Sequence, residues 1–188
     1  MKSDIIIIGG GIMGSAAAYF LGVSGRAGTV SVIEPGPTYS KATTPAGAGG
    51  VRRLICRPEN IRMSQFSLDF YANFQNVMAT EHNPADIQFR RQGCLFLTSP
   101  RGADDLTRNF DTQRKEGVPA ELLDVSALHA QFPSVRTDNT AFACHSPEDG
   151  WIDPQAALIE FRKKAESLEV NFLRDRVVGL ETSNSAVT

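Results

Sequence analysis

Asp4-Ile5-Ile6-Ile7-Ile8 runs directly into Gly9-Gly10-Gly11-Ile12-Met13-Gly14, and Ser15 to Val23 (SAAAYFLGV) follows without a break. Four consecutive isoleucines suit a strand buried on both faces of a parallel sheet. The stretch after the glycines reads as a helix whose small side chains let it pack close to that sheet. Thr29 to Ile33 is a second β-rich run and ends at Glu34. Together these make a β-α-β unit of about 30 residues, the size of one crossover. Gly9, Gly11 and Gly14 occupy the three glycine positions of a dinucleotide fingerprint. The first permits the tight turn, the second lets backbone approach a pyrophosphate, and the third lets helix meet strand. The pyrophosphate belongs at the helix N-terminus, where free N–H groups and the helix dipole favour an anion. Glu34 falls 20 residues after Gly14, where a carboxylate accepts hydrogen bonds from both ribose hydroxyls. Its charge opposes a 2′-phosphate, which disfavours NADP, whereas FAD and NAD stay open at this point.

Glycine usage marks a second place of interest. Of 16 glycines, 11 lie in the first 50 residues, and Gly47-Ala48-Gly49-Gly50 forms a cluster of its own. It closes a long Gly-, Ser- and Thr-rich loop, Pro35 to Arg53, that ends in Arg52 and Arg53. Loops of this length inside a compact domain are usually functional or disordered. A nicotinamide domain would continue promptly into another helix and strand, whereas hydroxyls and amides here suit a further stretch of an extended cofactor.

At this point the chain resembles a known family. DIIIIGGGIMGSAAAYFL, VIEPG, YSKATTPAGAGGVRR and the later EDGWIDPQAAL, in that order, are similar to the N-terminal half of the FAD-dependent D-amino-acid-oxidase-like oxidoreductases. Sarcosine and glycine oxidases and D-arginine dehydrogenase belong to that family. The resemblance implies an α/β fold: a Rossmann-type FAD-binding parallel sheet with a second, mainly antiparallel substrate-side sheet, here truncated. It implies FAD as cofactor and oxidation of the C–N bond of an amino acid or secondary amine, the protein supplying orientation and electrostatics. By motif, Gly9, Gly11, Ile12, Met13 and Gly14 would line the pyrophosphate turn and Glu34 the adenosine ribose. Ser40, Ala42 and Thr43 would follow the pyrophosphate and ribityl chain. Gly50 and Arg52 would sit near the flavin ring, where a cation stabilises the electron-rich reduced form. Val177 would offer a main-chain contact to adenine. Some relatives carry another basic residue three beyond the arginine; Ile55 stands there, and Arg53 is offset from it by two. No catalytic residue is assigned within these 188 residues. The implied division is 1–82 with 146–188 as the FAD-binding domain and 83–145 as the start of a substrate domain. Two other functions stay open: a non-catalytic flavin-binding scaffold, akin to an assembly-factor relative, and an NAD-dependent dehydrogenase.

Further along, Pro58 to Thr80 reads as one helix with two apolar stripes, Ile61, Leu68, Tyr71 and Met78 on one and Phe66, Phe70, Phe74 and Val77 on the other. So broad a face predicts burial between two layers, and Asn83-Pro84 ends the helix. Residues 87–90 and 94–98 flank Gln92-Gly93 as a hairpin signal. Asp124 and Asp153-Pro154 are helix starts, since aspartate accepts from free N–H groups and proline suits the first helical turn. Arg162, Lys163, Lys164 and Glu166 are expected to face water. Val170 to Leu180 resumes a strand pattern, and Ala186-Val187-Thr188 reads as its hairpin partner, which leaves the sheet edge open where the sequence stops. The chain therefore reads as an N-terminal fragment of a larger protein.

Composition narrows the function classes. A net charge of −2, with 41% hydrophobic and 21% charged residues, gives no reason to expect nucleic acid or an anionic membrane as partner. A small amine or amino acid is the expected partner, with the electron acceptor unassigned. Cys56, Cys94 and Cys144 match neither a disulfide framework nor a zinc spacing, and no metal site is expected. Neither a leader nor a membrane-spanning run is evident, so a cytoplasmic location is expected. His82, His129 and His145 have no ligand spacing, and Cys144 and His145 point to opposite faces of a strand.

Overall fold

A computed structural model describes residues 2–36, 38–40, 42–81, 84–183 and 186–187. Asn83 (expected to break a helix), His82, Lys41 and Thr188 lie outside the described residues. The elements run β1 (Ile5–Ile8), α1 (Ile12–Ser24), β2 (Val30–Ile33), β3 (Gly50–Val51), α2 (Pro58–Ala72), α3 (Phe74–Met78), β4 (Arg90–Arg91) and β5 (Cys94–Thr98). They continue with α4 (Ala103–Lys115), β6 (Glu121–Asp124), α5 (Val125–Gln131), β7 (Phe142–Ser146), β8 (Gly150–Trp151), α6 (Pro154–Ser167), β9 (Asn171–Leu173), β10 (Thr182–Ser183) and β11 (Ala186–Val187). The chain forms two compact units, residues 1–48, 74–87 and 153–188 in one and 49–73 with 88–152 in the other.

The first unit is built on a parallel sheet of order β1-β2-β9, with Ile7, Val32 and Phe172 in register. β2 runs through its centre, and Val30, Ser31 and Val32 are buried. The SAAAYFLG stretch of α1 allows close packing: Ala18 and Tyr19 are buried, and a Cβ on Gly22 would stand 3.1 Å from Leu168 Cβ. Ala157, Leu158, Phe161 and Ala165 of α6 complete this core, with Phe161 edge-on to Tyr19 and to Phe74 at centroid distances of 5.7 and 5.6 Å. Burial on both faces was expected of β1, yet Ile6 and Ile8 are 51% and 57% exposed. β1 has a strand neighbour on one side only, and no layer among the described residues covers the face that Ile6 and Ile8 share.

The second unit holds two antiparallel sheets, β3-β8-β4 and β5-β7-β6. One face of β5-β7-β6 packs Cys94, Phe96 and Cys144 against Leu54 and Ile61, with Leu106, Phe110, Val118 and Ala120 in the same cluster. The opposite face carries Leu95, Ala143 and Leu123 onto Leu128 and Phe132. Asp124 caps α5 by accepting from Ala127 N–H at 2.7 Å. In the first unit, Asp153 caps α6 by accepting from Gln155 and Ala156.

Several expectations need correction. The helix expected over 58–80 breaks at Asn73, which leaves helical geometry at φ −106° and ψ 12° while its N–H bonds back to Asp69 and Phe70 carbonyls. Of the stripe expected to be buried, Phe66 is 60% exposed. The hairpin around Gln92-Gly93 does not form. β4 pairs with β8 and β5 with β7, because the turn at Gly93 (φ +79°) sends the chain into a different sheet. The strand expected over 170–180 covers only Asn171–Leu173, since past Leu173 no neighbouring strand continues the ladder. Val177 therefore lies outside regular structure, and β11 pairs with β10 instead. Arg162 is not a solvated residue but lies across two aromatic rings.

Burial governs the thiols. Cys144 has no exposed surface, its Sγ donates to Gln113 Oε1 at 3.7 Å, and burial pushes its pKa up to about 11, helped by Cys94, Asp149 and Glu121. Thiolate is the reactive form, so Cys144 in native protein should resist iodoacetamide at mildly alkaline pH while exposed Cys56 reacts. Peptide mapping after a timed pulse checks this, and labelling of Cys144 at the pace of Cys56 would contradict it.

Candidate cofactor site

β1 ends at Ile8, and Gly9 turns the chain with φ +97°, a conformation that disfavours any side chain. Gly14 sits where a Cβ would collide with the Gly9 carbonyl oxygen and stand 3.2 Å from Ile7 Cγ2, so helix and strand touch backbone to backbone. Gly11 differs from both. As N-cap of α1 it is extended, φ −60° and ψ −177°, and a Cβ there would meet only Thr44 Oγ1 at 3.9 Å. The space in front of Gly11 is open.

That opening faces a receptive helix end. Gly11 supplies no side-chain cap and the first turn of α1 has no acidic residue, so its dipole and its amides other than that of Ile12 are available to an anion. Thr44, in a short 3-10 turn (Thr44–Ala46), reaches the same end: its Oγ1 accepts from Ile12 N–H at 3.3 Å. Ser15 Oγ donates to Gly10 O at 2.8 Å and ties the helix back to the turn. The Ile12 side chain is half-buried, and Met13 is 82% exposed.

Glu34 closes the other side. Its N–H donates to Leu173 O, and its carboxylate accepts from Gly10 N–H through Oε2 and from Gly36 N–H through Oε1, both at 2.9 Å. Two backbone donors fix the orientation of the group while each oxygen keeps a further lone pair. Beyond it, Tyr39 is buried with φ +54°, a strained setting for a bulky residue that typically costs about 1–3 kcal/mol. Burial raises the Tyr39 phenol pKa, and its hydrogen bond from Arg162 opposes the rise. Ser40 and Thr43 are exposed and Ala42 half-buried on the same loop. A cavity of about 40 Å³ beside Glu34 is lined by Arg162, Phe172, Leu173 and Arg174.

The first unit thus brings Gly9, Gly11, Gly14 and Glu34 together, with Ser40, Ala42 and Thr43 on the loop that leads from Glu34 to Thr44. Val177 is half-buried in the segment after β9. Thr44, Tyr39 and Arg162 escaped the sequence reading. The hydroxyl-rich loop hinted at Thr44, and nothing in the pattern marks a tyrosine with positive φ.

Gly50 and Arg52 belong to the second unit. Gly50 pairs with Trp151 across β3 and β8, and Arg52 is exposed with its guanidinium 5.5 Å from the Phe96 ring centroid. Arg53 has a different role. It is 8% exposed and Asp149 fully buried. Arg53 N–H and Nε both donate to the Asp149 carboxylate at 2.9 Å, and its Nη atoms reach Glu148 Oε2 at 3.3 Å. Asp149 O in turn accepts from Gly93 N–H at 2.8 Å. Ile55, where some relatives carry a basic residue, packs against the core. His145 pairs with Glu121 at 2.8 Å. Among the described residues no cluster of His, Cys, Asp and Glu is arranged to hold a metal ion, and no helix is long and apolar enough to cross a membrane.

A turn that leaves helix amides open beside an anchored carboxylate is an arrangement for an adenine dinucleotide. The chain belongs to the FAD dependent oxidoreductase (DAO) family, whose model matches residues 4–188. It is 38% identical over 187 residues to FAD-dependent oxidoreductase domain-containing protein 1 of Xenopus laevis, covering 97% of this chain and 38% of that protein. It is 27% identical to 4-methylaminobutanoate oxidase (formaldehyde-forming) of Paenarthrobacter nicotinovorans, over 87% of this chain and 19% of that one. Among solved structures, L-proline dehydrogenase from P. horikoshii superposes with a TM-score of 0.82 at 26% identity, covering 99% of this chain and 48% of that one. The chain thus spans less than half the length of these relatives.

The buried Arg53–Asp149 pair makes a testable demand on stability. Removing one partner strands a buried charge, which costs about 3–5 kcal/mol. Asp149→Ala should lower the unfolding free energy by that order in denaturant titration, and a loss below about 1 kcal/mol would contradict a buried, fully paired arrangement.

Proposed function

We propose that this chain binds FAD and serves an oxidoreductase that oxidises the C–N bond of an amino acid or secondary amine. The observation that carries the FAD half is the open, uncapped start of α1 at Gly11 beside the Glu34 carboxylate held by Gly10 and Gly36. In this reading the amides of Gly11, Met13 and Gly14 neutralise the pyrophosphate beside the Thr44 hydroxyl that holds the Ile12 N–H, and Gly9 and Gly14 hold the turn. Ile12 and Met13 contribute main chain, and the Met13 side chain is 82% exposed. Glu34 accepts the ribose hydroxyls. Ser40, Ala42 and Thr43 follow the pyrophosphate and ribityl chain, Gly50 and Arg52 serve the flavin-ring end, and the main chain at Val177 meets adenine. Bound FAD supplies the two-electron acceptor for C–N oxidation. Arg52, with Phe96 beneath it and no carboxylate partner among the described residues, keeps its positive charge available to electron-rich groups.

The substrate half rests on relatives. The names of two of them, 4-methylaminobutanoate oxidase (formaldehyde-forming) and L-proline dehydrogenase, specify substrates with a secondary amine. One observation favours a second reading, a flavin-binding scaffold without turnover. Arg53 is committed to Asp149 and Glu148, and Ile55 is apolar and packed, so of the adjacent pair Arg52-Arg53 only Arg52 stays uncommitted to hold a substrate carboxylate. The NAD-dependent alternative gives way to the FAD-dependent family.

Full-length protein purified with bound flavin should bleach anaerobically when titrated with the right member of a panel of N-methylated and cyclic amino acids. A flavin that no amine reduces would transfer the conclusion to the scaffold. Glu34→Gln should weaken FAD binding about tenfold or more in calorimetry, as expected for loss of charged hydrogen bonds to two hydroxyls. Unchanged affinity would remove Glu34 from the site.

A further inference from the structure

Tyr39 and Arg162 are 123 positions apart, and neither carries a motif. Tyr39 stands just beyond the candidate ribose carboxylate with φ +54°, in two successive turns closed by Tyr39 N–H to Gly36 O and Ala42 N–H to Tyr39 O, both 2.9 Å. A tyrosine does not adopt the left-handed region without something holding it there. What holds it is the ring. The side chain is 5% exposed, its hydroxyl accepts from Arg162 Nη1 at 3.1 Å, and that guanidinium lies 5.8 Å from the ring centroid.

Arg162 is itself fixed from two further directions. Its carbon Cζ is 4.9 Å from the Phe172 ring centroid on β9, and its Nε donates to Glu166 Oε1 at 2.9 Å one turn along α6. The Tyr39 hydroxyl also reaches the phosphate turn. A Cβ on Gly10 would stand 3.4 Å from it, and 3.0 and 3.2 Å from Glu34 Cβ and Cγ. Tyr39 and Glu34 therefore flank the same bare glycine, and Arg162 lines the same small cavity as Glu34.

We infer that the Tyr39–Arg162 pair is the positioning element of the dinucleotide site. Through it α6 and β9 hold the Glu34–Thr44 loop in its strained course, so that Glu34 stays against Gly10 and Thr44 against the start of α1. Neither side chain is assigned a contact with the cofactor. The inference rests on the FAD reading above and adds the element that keeps the loop receptive before FAD arrives.

Full-length protein stripped of flavin provides the test, with affinities for FAD and ADP measured by calorimetry and the apoprotein midpoint by thermal melting. Tyr39→Phe keeps the ring and removes the acceptor; Arg162→Met keeps the stem and removes the donor. Each should weaken both FAD and ADP by about tenfold, the loss of one hydrogen bond that orders the loop. The double variant should be no weaker than either alone, the signature of one shared interaction. Arg162→Lys should recover part of the affinity. The apo melting midpoint of Tyr39→Phe should stay at the wild-type value, which separates positioning from general stability. Affinities of Tyr39→Phe within about twofold of wild type, losses that add in the double variant, or losses that track a fall in the apo midpoint would each overturn the inference. Glu34→Gln distinguishes the two levels: if it weakens FAD and Tyr39→Phe does not, the site stands and the positioning role falls. If Glu34→Gln also leaves FAD binding intact, the FAD reading itself fails.

Discussion

The hydrogen bond from Gly10 N–H to Glu34 Oε2 joins the end of the first strand to the end of the second. It exists because β1 and β2 are parallel neighbours in register, Ile8 opposite Ile33, so that both strands release their chains at the same edge of the sheet. Glycine at position 10 makes room for the Glu34 stem, and glycine at 14 lets α1 start against the backbone of Gly9 and the side chain of Ile7. A carboxylate and a positive helix end so close together attract each other, yet the bond is made to one turn amide and leaves the Gly11 face open. The result is a surface with donors for phosphate and acceptors for hydroxyls side by side, as one sugar joined to a pyrophosphate requires.

The second unit uses charge differently. Arg52 and Arg53 are neighbours of the same chemistry, and burial separates their roles. Arg53 is enclosed with Asp149 and spends its donors on the turn that begins β8, whereas Arg52 stacks on Phe96 and keeps its charge outward. Gly49, with φ +73°, lets this segment run so close to β8 that a Cβ would strike the Ile152 carbonyl oxygen. The closeness of β3 to β8 and the Arg53 anchor together fix where the Arg52 side chain begins.

Local patterns carried the first forty residues. The isoleucine run, the three spaced glycines and the acid at the end of β2 each report a backbone requirement that acts within a few residues, and the α/β class and the dinucleotide turn follow from them, whereas the FAD family was legible only in the order of four motifs that reach to EDGWIDPQAAL. Pairing across longer distances was less legible. Gln92-Gly93 has hairpin chemistry, but β5 finds its partner at Phe142–Ser146, because hydrophobic faces on both sides of that sheet outweigh a local turn preference. The exposed faces of β1 and Phe66 were equally invisible, since periodicity shows which residues share a face and not whether another layer covers it. Arg162 sits in a run of charged residues and reads as solvated; only the fold brings Tyr39 and Phe172 beneath its guanidinium.

Gly11 offers the most direct test of the central claim, because the fold itself has room for a Cβ there while the proposed ligand leaves none. Its backbone is in a region any residue adopts, and a Cβ meets nothing closer than 3.9 Å. Full-length protein carrying Gly11→Val, expressed with ample riboflavin beside the wild type, should fold with an unchanged apo melting midpoint and emerge without flavin, while the wild type retains FAD. Equal FAD content in the two proteins, with the variant folded, would contradict the placement of the pyrophosphate at this turn.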